Sequence, residues 1–94
     1  MVKIFNYGNY KNDNYGSSRA VVIGSLTLYF SYKTVVAVHD RQTGKRHISE
    51  NTWGSTTGRH INCINRDKSI RLNRSDFEQK LNSILDKYNL KEVA

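Results

Sequence analysis

The sequence predicts an α+β domain: an antiparallel sheet of four to five strands, a short helix, and a C-terminal amphipathic helix packed on one face of that sheet. Three observations carry this. Residues 26–31 alternate, with Leu26, Leu28 and Phe30 set against Thr27, Tyr29 and Ser31, the period-two signature of a strand with one buried side. Residues 35–39 form a β-branched apolar run suited to a central strand. Phe77, Leu81, Ile84, Leu85 and Tyr88 recur at helical spacing. The strands come first and the helices last, an order that segregates helices onto an antiparallel sheet.

Taken in order, residues 2–7 read as an opening strand and residues 8–18 as a loop rich in Asn, Tyr and Gly, which tolerate turn conformations. Residues 20–23 are a second strand, and Gly24-Ser25 a tight turn into the third. After a bend at residues 32–34 and the fourth strand, Gly44 is placed to take positive φ in a hairpin loop, and residues 46–50 return as a fifth strand with Ile48 inward. Residues 51–58 have no period and read as a loop pinned by Trp53. Residues 59–65 suit a short helix, with Ile61 and Ile64 on one face and a hydroxyl of Thr56 or Thr57 as its cap. Residues 70–72 add a short extended piece. Ser75-Asp76-Phe77-Glu78 has the form of a capping box that opens the last helix, and Lys87 and Lys91 complement its C-terminal dipole.

Ninety-four residues make one domain, 1–94, too small to divide without staples. Hydrophobic residues are 37% of the chain, below the usual share, so the core is compact and a deep active site is not expected. Cys63 is the one cysteine, which excludes an intrachain disulfide and argues against a small secreted scaffold. The opening residues hold no long apolar run, and no stretch approaches the roughly 18 apolar residues of a membrane span. The expected location is the cytoplasm of the cell that makes it, or of a host cell.

Charge is the strongest functional signal. The chain carries 15 Lys and Arg against eight Asp and Glu, net +7. Between residues 41 and 74 stand Arg41, Lys45, Arg46, Arg59, Arg66, Lys68, Arg71 and Arg74 against Glu50 and Asp67, eight against two, net +6. Between 76 and 92, three Lys face four acids, net −1. Basicity gathered in one region is the footprint of a polyanion binder, although a solubilising surface has the same net charge. Tyrosine is abundant, and Tyr10 and Tyr15 in the N-terminal loop suit an interface or stacking on unpaired bases. Residues 50–60 combine Trp53, two glycines, several hydroxyls and flanking charges. Such a loop is either a recognition element or a connector that caps the core.

Catalytic and metal chemistry have less behind them. His60 and Cys63 are three apart, but a structural zinc site wants four ligands, so no metal is expected; ordinary histidines and a buried thiol account for them. His47, Glu50 and His60 have the types of acid, base and phosphate-polarising group for a small ribonuclease toxin, with Arg46 and Arg59 beside the charged transition state. No spacing enforces their contact. There is no Gly-rich phosphate loop, no Gly-x-Ser-x-Gly and no paired-carboxylate motif, so neither an enzyme nor a cofactor is expected.

Asn6-Tyr7-Gly8, repeated at Asn14-Tyr15-Gly16, together with residues 29–38 and the stretch Glu50-Asn51-Thr52-Trp53-Gly54-Ser55-Thr56-Thr57-Gly58-Arg59-His60, resembles a family of short uncharacterised proteins of bacteriophages and other mobile elements. The resemblance covers residues 6 to 72. That family often has an aromatic where Cys63 stands here. It implies a context and no activity: small phage proteins bind nucleic acid or disable host defence. The expectation is therefore a basic, non-catalytic binder of nucleic acid, or of a host complex that handles it. Its binding residues are Arg41, Lys45, Arg46, Trp53, Arg59, His60, Tyr10 and Tyr15. The alternatives are an anti-CRISPR-like inhibitor acting by protein–protein contact, the ribonuclease, and a sponge for a nucleotide signal. The oligomeric state, a homodimer included, stays open.

Overall fold

The computed structural model describes residues 2–8 and 18–90. Five strands, β1 (Val2–Asn6), β2 (Ser18–Ile23), β3 (Leu26–Ser31), β4 (Thr34–Asp40) and β5 (Lys45–Ile48), form one antiparallel meander in the order β1-β2-β3-β4-β5. Helix α1 (Ser55–Ile64), a 3-10 turn (Lys68–Ile70) and helix α2 (Arg74–Lys87) follow. The α+β class and the packing of α2 on one face of the sheet are as the sequence predicts.

That face carries Leu26, Leu28, Val35 and Val38, which meet Phe77, Leu81 and Leu85 of α2 in one buried cluster, with Ile84 and Tyr88 at its margin. The opposite face is not the solvent side that the alternation of β3 suggests. There Val36, Ala37 and Ile48 bury Ile61 of α1, and Thr27 and Ser31, expected outward, are buried as well. Strand β4 is covered on both faces, which is why residues 35–38 are all apolar. An irregularity makes this possible. Tyr29 pairs with Ala37 but Phe30 with Val35, leaving Val36 as an extra residue whose carbonyl accepts from the Ser49 amide at 2.8 Å. The bulge places Val35 and Val38 toward α2 while Val36 and Ala37 face α1.

Both helices start where the sequence did not place them. Helix α1 begins four residues earlier than expected, after Gly54, which contributes no side-chain cap; the Thr57 hydroxyl instead turns inward to Ser31 Oγ at 2.9 Å. The cap of α2 is Asn73, whose side chain accepts from the Asp76 amide at 2.8 Å. Ser75 and Glu78 therefore form no capping box, and Glu78 pairs with Arg74 one turn back at 3.0 Å. The 70–72 segment does run extended at its end: Leu72 bridges Ser49 in parallel, taking the Glu50 amide at 2.7 Å and giving its own to Ile48 O at 2.8 Å. Cys63, expected buried, is exposed. Among the described residues no helix is long and apolar enough to cross a membrane.

Candidate nucleic-acid interface

The hairpin between β4 and β5 is built on Asp40. Its backbone carbonyl accepts from the Gly44 amide at 2.8 Å and its carboxylate from the Gln42 amide at 3.0 Å, while Gly44 takes φ 75°, a conformation that favours glycine. Asp40 is only 2% exposed. The Tyr88 hydroxyl donates to it at 2.9 Å and Lys87 Nζ lies 3.3 Å away, so the end of α2 is tied to the hairpin. Burial alone raises the Asp40 carboxyl, but the hydrogen bonds from Tyr88, Lys87 and the Gln42 amide outweigh it and hold the group below its ordinary value.

A pH dependence follows. With its folded pKa lowered, the Asp40 contribution is present above the unfolded value and is lost as pH falls through the folded one. We expect Asp40→Asn to melt below the parent at neutral pH, with the gap narrowing as pH falls below about 4. A gap that stays constant to the acid limit of folding would show that the carboxylate charge is not what Tyr88 and Lys87 hold.

Because Asp40 is bonded from inside to Tyr88 and Lys87, among the described residues it makes no ion pair with Arg41, Lys45 or Arg46. Arg41 is fixed by its guanidinium to the β2–β3 turn, Nε donating to Ser25 O at 3.2 Å and Nη2 to Gly24 O. Lys45 and Arg46 pair across the sheet with Asp40 and His39 and point to opposite faces. The neighbouring imidazoles respond to this field. His39 is held below its usual pKa by burial and then by Arg46 and Arg41, with Asp40 opposing. His47 is lowered by burial and then by Lys80 and Lys45. Lys80, in the near-neutral C-terminal segment, thus adds positive charge on the His47 side of the sheet.

The remaining expected site residues are elsewhere. His60, expected to face a partner, is 1% exposed, and its Nδ1 lies 2.8 Å from Ser31 Oγ. Ser31 pairs with Thr34 at the end of β4 away from the hairpin. The six steps from Thr34 to Asp40 span about 20 Å of strand, which separates His60, and Arg59 next to it, from Arg41 and Lys45. Trp53 lies toward that same far end. The Arg74 guanidinium sits 5.0 Å above the Trp53 ring and 5.1 Å from Phe77, and donates to Val35 O at 2.9 Å. The indole is 40% exposed and anchors the loop to the start of α2. Tyr10 and Tyr15 lie outside the described residues. The single cluster expected from sequence is therefore divided, with Arg41, Lys45 and Arg46 at one end and Trp53, Arg59 and His60 at the other.

The ribonuclease constellation is likewise divided. His47 pairs with Val38 on the α2 side of the sheet, whereas His60 is buried on the α1 side. With the sheet between them, no single phosphate reaches both rings. Among the described residues no group of three or more His, Cys, Asp or Glu is disposed to hold a metal ion.

Residues 2–79 match the model of a family of unknown function, DUF8033, and the chain belongs to that family. No curated protein and no solved structure matches it.

Proposed function

We propose that this member of DUF8033 is a small basic binding protein, of the kind that bacteriophages and mobile elements encode, which engages nucleic acid without transforming it. The β4–β5 hairpin is the contact surface. The observation that carries this reading is the pairing of Asp40: the one acid of the hairpin is buried and held by Tyr88 and Lys87, so among the described residues it forms no ion pair with Arg41, Lys45 or Arg46, whose exposed charges flank the two faces of the hairpin. Arg41 is already immobilised by its carbonyl contacts, which lowers the ordering cost of placing its guanidinium against a phosphate.

The test is salt-dependent binding to a single-stranded oligonucleotide and to its duplex. With about four phosphates neutralised, affinity should fall roughly a hundredfold between about 50 and 200 mM salt. Lys45→Glu with Arg46→Glu should weaken binding far more than Arg19→Glu with Lys33→Glu. Both pairs change the net charge by the same amount, but Arg19 and Lys33 are exposed at the opposite end of the sheet. Equal losses would mean that only total charge matters.

A protein partner within a host nucleic-acid-handling complex, as for an anti-CRISPR-like inhibitor, is favoured by a different observation. The edge strand β1 bares Val2 at 61% and Ile4 at 60% exposure, with Phe5 at 40%. Binding through these side chains would change little with salt and would be lost in Ile4→Asp.

A further inference from the structure

Between the exit of β5, helix α1 and the 3-10 turn lies a cleft of about 370 Å³ lined by Glu50, Asn51, Gly58, Asn62, Lys68 and Arg71. Its walls are set in place by contacts already made. The Glu50 amide is bonded to Leu72 O. Asn51 Oδ1 accepts from the Trp53 amide at 3.0 Å and its Nδ2 donates to Gly54 O at 3.1 Å. Arg71 Nη2 donates to Asn62 Oδ1 at 2.8 Å and to Asn65 O at 3.3 Å, while its Nε is buried with no partner among the described residues. Gly58 explains itself here. Glycine inside a helix costs about 1 kcal/mol relative to alanine, but a Cβ at this position would stand 2.9 Å from Asn51 Nδ2.

The charges of this cleft are the unusual part. Glu50 and Lys68 line one cavity, yet among the described residues neither side chain takes part in an ion pair or hydrogen bond. A carboxylate and cations are thus held apart across an open space. A bare anion would meet Glu50, and a bare cation would meet Lys68 and Arg71. The ligand that fits carries hydrogen-bond donors at one end and negative charge at the other. A free amino acid has that polarity but underfills the space, whereas a nucleotide is of the right size. Among the bases, guanine alone offers two parallel N–H donors, N1 and N2, to a single carboxylate.

We propose that this cleft is a binding site for a guanine nucleotide, with Glu50 accepting from the base edge and Lys68 and Arg71 meeting the phosphate. It shares no residue with the basic hairpin, and the two readings stand or fall separately.

The experiment is a titration of isotope-labelled protein with GMP, AMP and guanosine, followed by amide chemical shifts. The amides of Asn51, Gly58, Asn62 and Lys68 should move, and GMP should bind about tenfold more tightly than AMP, the discrimination expected of one bidentate base contact. Glu50→Ala should erase the preference for GMP over AMP. Lys68→Ala should weaken GMP while leaving guanosine unchanged. Both positions are exposed, and the spectrum itself reports whether each variant is folded. A GMP preference below about threefold, its persistence in Glu50→Ala, or shifts confined to the hairpin would each overturn the assignment. Glycine or another amino acid saturating the same amides more tightly than GMP would overturn it too.

Discussion

Phe77→Ala should cost about 3 to 5 kcal/mol, the upper range for removing a buried aromatic. Phe77 is fully buried at the centre of the cluster formed by Leu26, Leu28, Val35, Val38, Leu81 and Leu85. Its ring also lies against the Arg74 guanidinium, which in turn covers Trp53, so the variant loosens the loop after β5 as well as α2. In a domain of this length such a loss corresponds to roughly 15 to 30 °C in Tm, a large part of a total stability of only about 5 to 15 kcal/mol. Circular dichroism melts measure the shift, and Trp53 fluorescence should change with it. A melt within a few degrees of the parent would mean that α2 does not pack on the sheet through this ring.

Ile61→Ala should be nearly as damaging, at about 2 to 5 kcal/mol. Ile61 is fully buried between α1 and the opposite face of the sheet, against Val36, Ala37 and Ile48. It distinguishes the observed architecture, with a helix on each face, from the one the sequence suggests, in which only α2 covers the sheet. A helix lying loosely on the surface would tolerate the change within about 0.5 kcal/mol. Urea titration at constant m-value separates the two outcomes.

The strands and α2 were legible because each announces itself in a local period. Leu26, Leu28 and Phe30 alternate, and Phe77, Leu81 and Leu85 repeat on one helix face. What escaped was decided by contacts distant in the chain. The outward set of β3, Thr27, Tyr29 and Ser31, reads as solvent-facing because small hydroxyls and tyrosine suit either environment; it is Thr57 of α1, 26 residues beyond Ser31, that meets Ser31 in the interior. The start of α1 was hidden because Gly54 and Gly58 are the residues a sequence reading uses to end helices, and Gly58 is present for Asn51 rather than for the helix. At α2 two good caps compete within three residues, and Asn73 holds the position for which Ser75 also qualifies. The candidate site was partly legible for the same reason. Arg41, Lys45 and Arg46 stay together because one hairpin holds them, whereas Arg59 and His60 depend on where α1 docks. The Glu50–Arg71 cleft draws on three separate segments, and no spacing in the chain foretells it.

The two borders of the sheet differ in a way that limits how copies can join. Beside β5, the Leu72 backbone takes up the pairing groups at Ile48 and Glu50, and Lys45 and Arg46 put charge along what remains. Beside β1 nothing among the described residues continues the ladder. A sheet with two free borders can lengthen without end, each new copy offering a fresh border to the next. With one border partly covered and charged, a pair of copies meeting β1 to β1 about a two-fold axis uses up the more open of the two borders among the described residues. Strand-to-strand association through β1 about such an axis therefore favours a closed pair over an extending array.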